Sequence, residues 1–184
     1  MSTTTSFKRE TILAKLLNVL TEMTSRPSGL VGISLVGFHI ILAIISPTIV
    51  PYDYKTMDSQ AILNGPSFEH WLGTDNLGRD ILTRTMLGGR QALMVTTIAT
   101  AIAIAWGSML GVLLGLIGGW LENLVMRLVD AFLAIPWILF LLLIVSVIGL
   151  GNAVLIPTLA FFYGIPVVRM SRAATHDVVA LDFI

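Results

Sequence analysis

The residues best suited to chemistry crowd into one stretch, EHWLGTDNLGRDILTRTMLGGR, from Glu69 to Arg90. It offers carboxylates (Asp75, Asp80), guanidinium groups (Arg79, Arg84, Arg90) and closely spaced glycines. A phosphate-cradling loop would need a preceding strand and a Lys-Ser/Thr after the glycines. Neither is present, so nucleotide binding is rejected. Metal chemistry fares no better: His39, His70 and His176 are far apart, and the absence of Cys removes thiolate sites and disulfides. A structural reading remains. Asp80 and Arg84 are four apart and can pair if the segment is helical. Ile81, Leu82, Thr85 and Gly89 then share the opposite face, and Gly73 and Gly78 suit turns ahead of it. The stretch predicts a glycine-broken turn that runs into an amphipathic helix.

The surrounding chain is of a different kind. Of its 184 residues 55% are hydrophobic and 12% charged, and mean hydropathy is +0.88. A soluble chain this small could not hide so much apolar surface, so the excess is expected to face lipid. A net charge of zero implies no nucleic-acid partner. Residues 1–27 form a polar tail in which Ile12, Leu13, Leu16, Leu17, Leu20 and Met23 recur at helical spacing, predicting an amphipathic helix in the membrane interface. Residues 28–50 hold a first span, Leu30 to Val50, free of fixed charge and long enough to cross ~30 Å of hydrocarbon. Its apolar core is too long for a cleavable signal peptide. Residues 51–90 are the long polar segment. Residues 91–184 hold three more expected spans: Gln91 to Ile117, Ala131 to Leu150, and Ala153 to about Met170, the last interrupted by Pro157 and Pro166. Lys8, Arg9, Lys15, Arg26, Arg127, Arg169 and Arg172 on one side outweigh Lys55, Arg79, Arg84 and Arg90 on the other. That asymmetry predicts both termini inside and residues 51–90 outside.

Small residues recur at steps of four through the second span: Ala99, Ala103, Gly107, Gly111, Gly115 and Gly119. In lipid, helices associate through close backbone contact at such positions. A step of four overshoots 3.6 and slides about 40° around the helix each time, so a partner must cross at an angle. His39, at mid-span, is read as a neutral imidazole bonded to a neighbouring carbonyl, since no second titratable group shares its span. Arg127 and Asp130, three apart in WLENLVMRLVD, are expected to pair on one helix face.

LGTDNLGRDILTR followed by GGR resembles the signature of the permease subunits of peptide and nickel importers of the ABC type. The pattern falls on Leu72, Gly73, Thr74, Asp75, Gly78, Arg79, Asp80, Arg84, Gly89 and Arg90. MRLVDAFLAIP, Met126 to Pro136, with Arg127 and Asp130, resembles the family's next block. The likeness is closest to the C-type permease of dipeptide and oligopeptide systems and covers nearly everything from Leu30 onward. Thr83 and Ala92 stand where the family usually has Ser. The resemblance implies an all-α integral membrane fold, here the N-terminal four spans of a six-span type I importer permease. In the family, a cytoplasmic Glu-Ala-Ala coupling loop and two further spans would follow Ile184. The implied partners are a second permease, two ATPase subunits, an extracytoplasmic solute-binding protein and membrane lipid, with no nucleic acid. The implied location is a prokaryotic inner membrane. No catalytic residue, metal or cofactor is implied, since ATP would be hydrolysed on the partners. Residues 51–79 become the expected docking surface for the binding protein, and Gly107, Gly111, Gly115 and Gly119 the packing seam. Other solutes of the family, or a truncated remnant without transport, stand as alternatives. An ion-coupled transporter would want paired intramembrane acids, and the spans hold none.

Overall fold

The structure, a computed structural model, describes residues 21–181, and the regular elements among them are all helices. The expected interfacial helix of the tail lies largely outside the described residues, although 21–25 are helical. The chain divides into two compact units, one up to Arg90 and one from Gln91.

In the first unit, α1 (Pro27–Ile49) starts with a proline in its first turn, where the missing N–H costs nothing. Its large apolar side chains, from Leu30 to Ile49, are mostly exposed, as befits a helix surrounded by lipid. His39 Nδ1 lies 2.7 Å from the Leu35 carbonyl oxygen, within the same helix. Pro51 follows the C-cap Val50, and the chain enters a 50–80 segment of turns.

A long helix, α2 (Ile81–Ile117), begins in the first unit and continues in the second. There it is followed by α3 (Gly119–Ala134), α4 (Trp137–Ile148) and α5 (Asn152–Leu181). The core of this unit is Leu114, Val129, Phe162, Ile165 and Val168, with Trp106, Leu110, Val125, Met126 and Phe140 packed around it.

The third expected span, Ala131 to Leu150, is not one straight helix. α3 and α4 meet at an 80° bend. The cause is local: Pro136 has no N–H to donate, and it forces Ile135 out of the helical region, to φ −95° and ψ 129°. In the fourth span the prolines have the opposite outcome. Pro157 and Pro166 lie inside a continuous α5 that extends well past Met170, because neighbouring groups can satisfy the carbonyls they free.

By length and composition α1, α2 and α5 can each cross a membrane, and the bent α3–α4 pair can supply a fourth crossing. The register between α2 and α5 decides that fourth crossing. Gly107 faces Gly164, Gly111 faces Val168, and Gly115 faces Arg172. Both series ascend in steps of four, so the two helices run in the same direction. At the other end Gln91 Nε2 donates to Asn152 Oδ1, bringing the starts of the two stretches together. The chain therefore leaves α2 at one end and must return to the other before α5 begins. Only α3 and α4 lie between, so together they carry the chain back across.

Candidate functional site: the signature turn and the helix seam

In the first unit the signature residues build one tight structure. Gly73 and Gly78 both have positive φ, 74° and 71°. At Gly78 a side chain would fall on the backbone of Asp58, and at Gly73 it would lie 2.5 Å from the Asn64 carbonyl oxygen. Only glycine meets both demands. Between them Thr74 and Asp80 form an antiparallel bridge. Thr74 is buried; its hydroxyl donates to the Ala61 carbonyl and accepts from the Asn64 N–H at 3.0 Å.

Asp75 is the organiser of the turn. Its Oδ1 accepts the N–H groups of Leu77 (2.8 Å) and Arg79 (3.0 Å), and its Oδ2 takes the Arg79 guanidinium at 2.8 Å. Arg84 stands 3.6 Å from the same Oδ2. Partial burial pulls the Asp75 carboxyl upward, but the bonds from the Arg79 and Leu77 backbone, with the Arg79 side chain, outweigh it and hold it below its ordinary range.

The expected Asp80–Arg84 pair does not form. Asp80 sits just before α2 and caps it, Oδ2 accepting the Thr83 N–H at 2.7 Å. Its other oxygen lies 3.0 Å from His70 Nδ1. A capping carboxylate turned onto the helix end is unavailable to a residue one turn in, so Arg84 turns to Asp75. Burial raises the Asp80 carboxyl, yet the Thr83 N–H and His70 more than offset it, and the group is held low. Tyr52 closes the turn: its ring packs on His70 and its hydroxyl donates to the Glu69 carbonyl at 2.9 Å. Arg90 is exposed on α2.

In the second unit, Ala99 and Ala103 are fully buried, and Gly107, Gly111 and Gly115 lie directly against α5. A Cβ at these glycines would come within 2.7 Å of Gly164 O, 2.5 Å of Val168 O and 2.7 Å of Thr175 Cβ respectively. The contact is reciprocal, because a side chain at Gly164 would enter the Trp106 ring. Trp106 also donates its indole N–H to the Ala160 carbonyl at 3.0 Å and stacks on Phe161. Gly119 does not belong to this seam. α2 ends at Ile117, Gly118 and Gly119 both take positive φ, and no neighbouring atom lies within 4 Å of a Gly119 Cβ. The step of four carries on in the sequence after the helix that gave it meaning has stopped.

The expected Arg127–Asp130 pair is also absent. Asp130 pairs with Arg169 of α5, and Arg127 is exposed. α5 lies alongside α3 and presents its arginine to the carboxylate. One turn further along α5, Glu122 is buried on α3 and receives both Arg172 Nε and, at 2.6 Å, His176 Nε2 on a single oxygen. Sequence spacing did not point to Glu122 or to its pairing with Arg172 and His176. The available signal was Arg172 and His176 four apart on one face, with two carboxylates, Glu122 and Asp130, in WLENLVMRLVD to meet α5. No group of His and acidic residues among the described residues could hold a metal ion.

Helices long and apolar enough to cross, a close glycine crossing within the apolar region and charges gathered at helix ends define a multi-pass α-helical membrane protein. Residues 107–184 match the family described as binding-protein-dependent transport system inner membrane component. The chain is similar to the dipeptide transport system permease protein DppC of Alkalihalophilus pseudofirmus, 38% identical over 136 residues, 73% of this chain and 45% of the relative. It is also similar to glutathione transport system permease proteins GsiD. That of Pectobacterium atrosepticum is 33% identical over 146 residues, 79% of this chain and 48% of the relative. That of Escherichia coli is 39% identical over 137 residues, 74% and 45%. The chain thus spans about half the length of the curated relatives it matches.

Proposed function

We propose that this chain is part of a permease subunit of an ABC importer for peptides, and that its helices form part of the translocation path. The observation that carries the reading is the 38% identity to a dipeptide permease over 136 residues. The glutathione permeases widen the solute class to short peptides in general. In this reading residues 51–90 face outward, where the turned 50–80 segment offers a rigid surface to a solute-binding protein. The ends of α2 and α5 near Gly115 and Arg172 face inward. A second permease and two ATPase subunits complete the assembly, and ATP is hydrolysed on the latter.

The signature residues Gly73, Thr74, Asp75, Gly78, Arg79, Asp80, Arg84 and Arg90 serve architecture in this reading. Apart from the exposed Arg90, they fold the outer turn or fix the start of α2. Uptake of labelled dipeptide, glutathione and nickel by cells expressing the subunit with its partners tests the proposal. Dipeptide or glutathione uptake that depends on the subunit and on ATP is expected. Uptake of nickel alone, or uptake that survives loss of the ATPases, would overturn it.

A further inference from the structure

The inner end of α5 is held from two sides at one turn. On the α2 side, Gly111 and Gly115 admit the α5 backbone so closely that side chains there would meet Val168 O, Arg172 N and Arg172 O. On the α3 side, buried Glu122 takes Arg172 and His176 on one carboxylate oxygen, while Asp130 takes Arg169. These partners descend along α5 as the acids ascend along α3, so α3 and α5 run antiparallel. α3 itself ends at the 80° bend, and α4, beyond the bend, carries no charge. Every described ion pair between α3 and α5 therefore falls on this one end of the bundle.

The two acids are not equivalent. Asp130 and Arg169 both have side chains more than half exposed, whereas the Glu122 side chain is 7% exposed. An exposed pair contributes little. A buried carboxylate with two partners is different, because losing either partner leaves an uncompensated charge.

We propose that Glu122 is the positioning residue for the inner end of α5: it ties α3 to α5 so that the two move together during the transport cycle. Its role in the cycle rests on the transport reading above; the tie itself does not. Glu122 touches no solute in this proposal and acts only through Arg172 and His176.

The absence of Cys permits a direct test. Spin labels at Asn123 and Ala173, both exposed, report the α3–α5 separation in the subunit within its assembled importer. The unaltered pair gives one narrow distance. Glu122→Gln keeps the shape and removes the charge, and should give a longer, broader distribution. Uptake per ATP hydrolysed should fall by roughly tenfold or more, the loss expected of a broken buried charge pair, while ATP hydrolysis continues. The charge exchange Glu122→Arg with Arg172→Glu should recover much of both readings relative to Glu122→Arg alone. If Glu122→Gln does not accumulate, Arg172→Lys and His176→Gln loosen the same carboxylate and carry the same expectation. An unchanged distance with unchanged coupling overturns the proposal, as does uptake that falls only in proportion to ATP hydrolysis and protein level. Should the unaltered assembly transport nothing, the transport reading fails, and the spin-label distances still decide whether Glu122 ties the helices.

Discussion

Gly111→Ala is the sharpest perturbation the seam allows, because it adds a single carbon. That carbon would lie 2.5 Å from the Val168 carbonyl oxygen, 2.8 Å from Ser171 Cβ and 3.0 Å from Arg172 N. Two of the three are backbone atoms, which cannot rotate away. Restoring an ordinary contact of about 3.4 Å to the carbonyl parts the helices by roughly 0.9 Å. A radial gap of that size forfeits a quarter to a half of each contact energy along the seam. The cost should fall in the range of overpacked cores, about 1–3 kcal/mol. For a chain of this length, that corresponds to a melting temperature lower by roughly 2–12 °C. Gly111→Leu should be worse. Gly89→Ala is the control: it is also inside α2, has no neighbour within 4 Å of its Cβ, and keeps negative φ. It should be neutral or stabilising by up to about 1 kcal/mol. Thermal denaturation of the purified chain in detergent, followed by size exclusion, measures all three. Gly111→Ala melting with Gly89→Ala would refute the claim that backbone contact at Gly111 holds α2 to α5.

Two further outcomes follow from the first unit and from the expected topology. Cys at Ser59 should react with an impermeant maleimide from outside the cell and Cys at Ala173 only after permeabilisation; labelling of Ala173→Cys alone from outside would invert the topology. The Asp75 and Asp80 carboxyls are held below their usual 3.8, so their contribution is fully present above that value and is lost as pH falls through the lowered values. The 50–80 turn should therefore stay closed down to about pH 4 and open below it, as read from the NMR signal of His70 in nanodiscs. Opening that begins near pH 6, or that is unchanged in Asp75→Asn with Asp80→Asn, would contradict the bonding described.

The parts of this architecture that were legible in the sequence are those set by local rules. Charge-free runs mark α1, α2 and α5, and a four-residue step of small side chains marks a close helix crossing. Gly73 and Gly78 announced turns because short spacing and glycine leave few other readings. The sequence misled where the outcome depended on a partner elsewhere in the chain. Asp80 and Arg84 have the right spacing to pair, but capping α2 and binding His70 claim the carboxylate first. Asp130 and Arg127 are likewise spaced for a pair, and α5 supplies a competitor from 39 residues away. Gly119 kept the step of four but not the helix. Proline misled as well: Pro157 and Pro166 were read as interruptions and lie inside a continuous α5, whereas Pro136, passed over in the third span, ends α3.

The bend at Pro136 resolves a conflict that a straight helix could not. A single helix from Gly119 to Ile148 would be about 45 Å long, well beyond ~30 Å of hydrocarbon. Its first half carries Glu122, Arg127 and Asp130, and its second half, WILFLLLIVSVI, carries no charge. Turning by 80° between the halves separates these two chemistries. The charged half runs along α5, where Arg169, Arg172 and His176 meet its acids and Val129 joins the core, and the apolar half begins beyond the bend. The return crossing is thus shorter than the chain that makes it.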